Sequence, residues 1–256
     1  MATEVDHIQV SDSPTGWWVD LPLTDYQAAL DLQLAVVAAK IDGRLDADVV
    51  LILEHPRVFT LGRRGGRENL CVKDEFLAAK SVRVIPTGRG GNITYHGPGQ
   101  LVVYPIVHLS RHRLKVVEFV SALEEAMIRT AGHWSVPAGT DPANRGVWIG
   151  ADKLGSVGIT VRRGVSFHGL ALNVNTDMEP FGWIHPCGLA QVRMTSCEQY
   201  LGRPVPMAEA RRVMAGHLAE CLGLTLTTMD VVALCEKLGH RVETMSTAPC
   251  QMSSGG

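Results

Sequence analysis

Arg89-Gly90-Gly91-Asn92-Ile93-Thr94-Tyr95-His96-Gly97-Pro98-Gly99-Gln100 runs straight into the apolar Leu101-Val102-Val103-Tyr104-Pro105-Ile106. The first part crowds Gly, Pro, Arg and His into twelve residues. Gly opens backbone conformations closed to other residues and lets a ligand approach the main chain. Arg and His bring charge and hydrogen-bond donors. The second part is a continuous apolar run, the pattern of a strand buried in a sheet. A Gly-rich loop seated on such a strand predicts a binding cradle on a rigid scaffold. A plain hairpin connection would be shorter, usually about two to five residues. The loop fits no nucleotide motif. A phosphate loop needs two Gly with four residues between them, then Lys and Ser or Thr, and no such string occurs. The pattern G-x-G-x-x-G fails from Gly88, where Ile93 takes the third Gly's place, and from Gly97, where Val102 does.

Upstream, Val82 to Ile85 leads into the cradle as a strand. Val49 to Leu53 reads as a second strand buried on both faces. Val58-Phe59-Thr60-Leu61 is a short strand ahead of the basic loop Gly62-Arg63-Arg64-Gly65-Gly66-Arg67. Trp17 to Leu21 is a first strand. Thr24-Asp25-Tyr26-Gln27 predicts a capping box with Thr24 as N-cap, opening a helix that Gly43 ends.

Downstream, Val116 to Trp134 predicts an amphipathic helix, apolar at Val116, Val117, Val120, Leu123, Met127 and Ile128. Gly146–Gly150, Lys153–Val161 and Phe167–Val174 read as strands, the last two joined through Arg162-Arg163-Gly164 as a hairpin. Asn175 to Thr195 is a long loop. Met207–Leu222 and Met229–Leu238 are helices. Strands, hairpins and helices without strict βαβ alternation predict an α+β fold of mixed sheets packed with helices. The expected organisation is a flexible N-terminus over 1–14, one catalytic domain over 15–243 and a disordered tail over 244–256.

A chain of 256 residues with 46% hydrophobic and 20% charged residues can bury a sizeable core. A net charge of −2 argues against a dedicated nucleic-acid binder. No apolar run reaches the roughly 18 residues of a membrane span. The polar, acidic stretch Met1–Pro14 matches neither a secretory signal nor a transit peptide, so a cytoplasmic location is expected, without nucleic-acid or membrane partners.

The six Cys are Cys71, Cys187, Cys197, Cys221, Cys235 and Cys250, none in a C-x-x-C pair. They read as reduced thiols. Cys221 and Cys235 sit in apolar helical patterns and read as core. Cys187 lies in His185-Pro186-Cys187-Gly188-Leu189, held by Pro and Gly in a turn. A nucleophilic Cys needs a stabilised thiolate, often beside Lys, Arg or His. Lys153 is the candidate for that charge, being the only Lys between Lys115 and Lys237. The alternative for Lys153 is a surface charge at a hairpin end. His96, His168 and His185 are possible acid–base groups. His168, His185, Cys187 and Cys197 are loose metal-ligand candidates, but their spacing matches no zinc module, so no metal is expected.

Taken together, four segments resemble the lipoyl (octanoyl) transferase family. They are Arg89-Gly-Gly-x-Ile-Thr-Tyr-His96-Gly-Pro-Gly-Gln100, Lys153-Leu-Gly-Ser-Val-Gly158, His168-Gly-Leu-Ala-Leu-Asn173 and Pro186-Cys187-Gly188-Leu189. Glu54-His55-Pro56-x-Val-Phe-Thr-Leu-Gly62 is similar to that family's early strand and turn. The similarity is collinear from about Trp17 to Leu222. It implies the fold of biotin- and lipoate-protein ligases. It also implies transfer of an octanoyl group from octanoyl-acyl carrier protein to a lysine of a lipoyl domain. The acceptors would be the lipoyl domains of 2-oxoacid dehydrogenase complexes and the glycine cleavage H protein. No cofactor is implied. By the resemblance Cys187 carries the acyl group as a thioester and Lys153 lowers its pKa. Acyl-substrate contacts fall on Arg89, Gly90, Gly91, Asn92, Ile93, Thr94, Tyr95 and His96, on Ser156, Val157 and Gly158, and on Gly169, Leu170 and Ala171. The family pattern near 156–158 reads closer to Ala-Leu-Gly, so Ser156 adds a hydroxyl.

Other readings are an ATP-dependent lipoate-protein ligase, an inactive lipoyl-domain binder and a cysteine hydrolase. The first needs no Cys nucleophile. The second does not need Lys153, Cys187 and His96 together. The third would want His-led activation and free water access.

Overall fold

The computed structural model describes residues 15–185 and 192–241. The expectations for 1–14, for 244–256 and for Pro186-Cys187-Gly188-Leu189 lie outside these residues.

The chain opens with β1 (Thr15–Leu23), α1 (Tyr26–Ile41), β2 (Asp48–Glu54) and β3 (Val58–Leu61). It continues through α2 (Asp74–Ala79), β4 (Arg83–Pro86), β5 (Ile93–His96) and β6 (Gln100–Ile106). Then come α3 (Val116–Gly132), β7 (Gly139–Thr140), β8 (Val147–Ile149), β9 (Asp152–Arg162) and β10 (Val165–Asn173). The last elements are α4 (Cys197–Leu201), α5 (Met207–Leu222), β11 (Thr225–Thr228) and α6 (Val231–Leu238). Eight strands form one mixed sheet in the order β11-β1-β2-β6-β10-β9-β8-β7, and β4-β3-β5 form a second.

The larger sheet is covered on both faces. Val50 and Ile52 of β2 and Leu101 and Val103 of β6 face α3 and α5. Their neighbours Val49, Leu51, Val102 and Tyr104 face α1 and α6. This period of two over wholly apolar strands is why β2 and β6 read as continuous runs. A third cluster, with Phe59, Ile93, Tyr95, Phe181 and Trp183, fills the space behind the small sheet. The architecture is the expected α+β fold with mixed sheets.

Several local expectations are corrected. The N-cap of α1 is Asp25, whose carboxylate accepts from the Gln27 and Ala28 amides, whereas the Thr24 hydroxyl donates to the Pro22 carbonyl. A charged acceptor at the helix start also complements the helix dipole. A third of the cradle is not loop: Ile93–His96 pairs antiparallel with Val58–Leu61. β-Branched Ile and Thr and aromatic Tyr favour that state. The buried face of α3 begins at Phe119, while Val116 and Val117 are 47% and 62% exposed. The stretch from Asn175 to Thr195 contains a 3₁₀ turn at Glu179–Trp183. The β9–β10 hairpin is as expected, and Arg163 and Gly164 turn it with φ of +47° and +83°, as a tight hairpin turn requires.

Candidate active site

β6 carries a proline one residue from its end, at Pro105, where the strand stays paired with β2 but its ladder with β10 has already stopped. Pro105 has no N–H to offer a neighbour. The β10–β6 ladder runs from Asn173 opposite Gln100 to Leu170 opposite Val103. Beyond it Ser166 bridges the gap: its Oγ donates to the Pro105 carbonyl and accepts from the Val107 amide. Between these points His168 sits at φ +57°. Its amide donates to Gln33 Oε1 of α1 at 2.8 Å. Gly169 follows with no room for a side chain; a Cβ there would stand 2.1 Å from the Val103 carbonyl oxygen.

The cleft encloses about 650 Å³, counting its open mouth. The loop before β5 and the first half of β5 form one wall, with Arg89, Gly90, Gly91, Asn92, Ile93 and Thr94. Ser156, Val157 and Gly158 of β9 and Gly169, Leu170 and Ala171 of β10 form another. Lys153 and Met194 close one side, and Tyr26, His96, Tyr104 and His168 supply the polar aromatic lining. Thus nearly all the site residues expected from sequence share one cavity. Tyr95 does not line it. Strand alternation turns its ring away, to pack on Phe59 at 5.5 Å and on Phe181 at 5.4 Å. Cys187 lies outside the described residues.

Arg89 is buried at the cleft wall. Its Nε donates to Thr60 Oγ1, its Nη2 to the Thr60 carbonyl and its Nη1 to the Gly90 carbonyl, at 3.0, 2.6 and 2.9 Å. Gly91, at φ +88°, lets its carbonyl approach Gly62 so closely that a Cβ on Gly62 would lie 2.5 Å from it. The glycines therefore let the cradle lie flat on β3, with a cation at its root.

Lys153 is buried, not a hairpin-end surface charge, with 5% exposure. Its Nζ donates to the Arg145 carbonyl at 2.9 Å and lies 5.2 Å from the centre of the Trp148 ring. Its backbone is clamped by the segment leading into α4: Lys153 N donates to Arg193 O, and Thr195 N to Lys153 O, at 2.8 and 2.9 Å. Sequence reading missed Glu124, 2% exposed on α3. Its carboxylate accepts from Arg145 Nη1 at 2.9 Å and from the Gly146 amide at 2.7 Å, fixing the loop whose carbonyl receives Lys153. The sequence carries no signal for it: Glu124 stands beside Glu125 in an amphipathic helix, and its burial shows only in the fold.

Burial favours the neutral form of three histidines in and behind the cleft, His55, His96 and His168. His55 Nδ1 faces the Thr24 carbonyl at 2.7 Å, so it must donate. Its Nε2 then accepts from the Tyr104 hydroxyl at 2.8 Å. Burial pulls His55 down to about 4. Burial, then the Arg89 and Arg63 charges, pulls His168 down to about 3. Burial, with His55 and Arg89 nearby, holds His96 well below the usual histidine range. Both ring nitrogens of His168 are buried without a hydrogen-bond partner among the described residues. Among the described thiols, burial pushes Cys197 up to about 12 and raises Cys221 and Cys235. Cys235 is core as expected, while Cys221 is only half-buried.

A deep cleft with a buried lysine, a buried arginine and neutral histidines is equipped for group transfer. The family described as the lipoyl protein ligase A/B catalytic domain matches residues 25–219. An octanoyltransferase of Desulfotalea psychrophila is 48% identical over 80% of this chain and 93% of its own length. Lipoate-protein ligase A bound with ATP superposes with a TM-score of 0.71 at 15% identity, covering 88% of this chain and 92% of that one. A biotin protein ligase of Aquifex aeolicus gives 0.51 at 11% identity, covering 81% and 70%. The chain belongs to the lipoyl protein ligase A/B catalytic domain family. Within it, the chain is an acyltransferase.

Proposed function

We propose that the chain transfers an octanoyl group from octanoyl-acyl carrier protein to a lysine of lipoyl domains, through a thioester on Cys187. The observation that carries this reading is the cleft itself. Segments 89–96, 156–158 and 169–171, far apart in sequence, wall one cavity with Lys153 at its side. Its aliphatic lining suits an acyl chain, each buried methylene contributing about 0.8 kcal/mol. The acceptors are the lipoyl domains of 2-oxoacid dehydrogenase complexes and the glycine cleavage H protein.

In this scheme the Cys187 thiolate attacks the donor thioester, and the carrier leaves as its thiol with a proton from the Lys153 ammonium, which leaves Lys153 neutral. Exchange of one thioester for another is nearly balanced, so no ATP is consumed. The Lys153 ammonium favours the thiolate. The acceptor amine then attacks the acyl-enzyme, and neutral Lys153 accepts its proton. Arg89 anchors the cradle over the chain, and Gly158 and Gly169 leave room for it.

Intact mass after incubation with octanoyl-acyl carrier protein tests the reading. One octanoyl adduct is expected, located on Cys187 by peptide mapping and absent in Cys187→Ser. Cys197→Ser, Cys221→Ser and Cys235→Ser should retain it. An adduct on any other Cys would refute the assignment.

A further inference from the structure

Gln100 and Asn173 are almost wholly buried, 2% and 1% exposed, beside His96. Gln100 Nε2 donates to the Tyr95 carbonyl at 3.2 Å and to Asn173 Oδ1 at 2.9 Å. Asn173 Nδ2 donates to the Thr195 carbonyl at 3.0 Å. A backbone carbonyl at each end fixes both amides, because turning either would set oxygen against oxygen. Gln100 therefore presents Oε1 to His96 Nδ1, 2.7 Å away. That oxygen can only accept, so Nδ1 carries the proton. Nε2 is left with its lone pair, on a ring that lines the cleft. The same run of hydrogen bonds reaches Lys153, whose carbonyl accepts from the Thr195 amide.

We propose that His96 Nε2 is the hydrogen-bond acceptor that orients the attacking amine, with Gln100 and Asn173 as the residues that fix its tautomer. This rests on the acyl-transfer reading above. The amine has two N–H bonds. Its lone pair forms the C–N bond, and the C–S electron pair leaves on sulfur. One amine proton passes to Lys153 and on to the departing thiolate. The other stays on nitrogen in the amide product, held by Nε2 throughout. His96 gains no net proton in the cycle. A fixed acceptor aims the amine lone pair at the acyl carbon, and misplacement on an ångström scale can cost on the order of 10²-fold in rate.

The test has two independent readouts. Nitrogen-15 NMR of the His96 ring should show Nδ1–H and a bare Nε2 at neutral pH, and mixed tautomers in Gln100→Met. Single-turnover kinetics should separate the two half-reactions. In His96→Leu, aminolysis of the acyl-enzyme should fall on the order of 10²-fold, well beyond any loss in formation of the acyl-enzyme. His96→Gln, which keeps an acceptor near the position of Nε2, should recover part of the loss. An Nε2–H tautomer in the unmodified protein would overturn the proposal. So would equal losses in both half-reactions, which would make His96 a binding or folding residue. Failure of the thioester reading shows separately, as an unmodified protein that never carries an acyl adduct.

Discussion

The Lys153 ammonium donates to the carbonyl of Arg145, and the guanidinium of that same Arg145 is held by Glu124. Glu124 and Lys153 are thus linked through one loop residue. Gly146 makes the loop possible: at φ +113°, a Cβ there would lie 2.5 Å from the Gly155 carbonyl oxygen and 2.7 Å from Lys153 Cε.

Glu124→Leu should therefore act on chemistry as well as on stability. It strips the buried Gly146 amide of its acceptor, a loss of roughly 1–3 kcal/mol. It also frees the Arg145 carbonyl to drift from Lys153. The pH profile of alkylation of the reactive thiol should move toward that of Lys153→Ala. A variant that melts earlier with an unchanged alkylation profile would show that Glu124 supports the fold alone.

Two cleft glycines should respond differently to a methyl group. At Gly169 a Cβ meets the Val103 carbonyl oxygen at 2.1 Å and Pro105 Cδ at 2.7 Å, both rigid. Gly169→Ala should cost roughly 1–3 kcal/mol in denaturant titrations, as overpacking does. At Gly158 the nearest atoms are the Gly90 carbonyl oxygen at 3.1 Å and Arg89 Cδ at 3.3 Å. Gly158→Ala should fold normally and narrow the cleft, shifting preference from octanoyl toward hexanoyl thioesters. Uniform loss across chain lengths would mean that Gly158 does not bound the acyl chain.

The pattern of legibility has physical causes. β2 and β6 were readable because strands buried on both faces must be apolar throughout. β5 was hidden by the glycines flanking it. β11 was missed because Thr225–Thr228 is a short, exposed edge strand on β1, without apolar alternation. The cradle, Lys153 and the 168–173 stretch of β10 stood out through Gly, His and Lys in unusual settings. Glu124, Gln100 and Asn173 did not, since a buried polar residue is recognisable only from its partner. Those partners lie 22 positions away for Glu124 and Gly146, and 73 for Gln100 and Asn173.

Acid should destabilise the protein before its carboxylates titrate. His55, His96 and His168 have folded pKa values below the unfolded 6.5. The unfolded chain therefore binds more protons as pH falls below about 6.5, and the stability these residues hold at neutral pH is lost toward pH 4. For His55 alone, a drop from 6.5 to about 4 is worth on the order of 3 kcal/mol. His168→Asn, which tolerates a positive φ and does not titrate, should flatten the fall in this window. Unfolding free energies that are level from pH 6.5 to 4.5 would sink this account.

The basic loop is the remaining expectation, and only part of it is available to a partner. Arg67 is bonded to Asp74, while Arg63 and Arg64 enter no ion pair among the described residues. Arg64 borders a groove with the exposed Val116 and Val117 and with Gly90, Gly91, Val157 and Gly158, which also line the cleft. On the proposed reading a carrier protein delivering a thioester would dock beside this groove, and an acidic carrier would be drawn to these guanidinium groups. Exposed charges act mainly on association rate and are screened by salt. Arg63→Ser with Arg64→Ser should raise KM for octanoyl-acyl carrier protein several-fold at low ionic strength. The gap should close as salt is added. Turnover of a small octanoyl thioester should hardly change, and Arg67→Ser should resemble the unmodified protein. Equal losses with both donors would assign the loop to the cleft or the fold, and docking would have to be sought elsewhere on the surface.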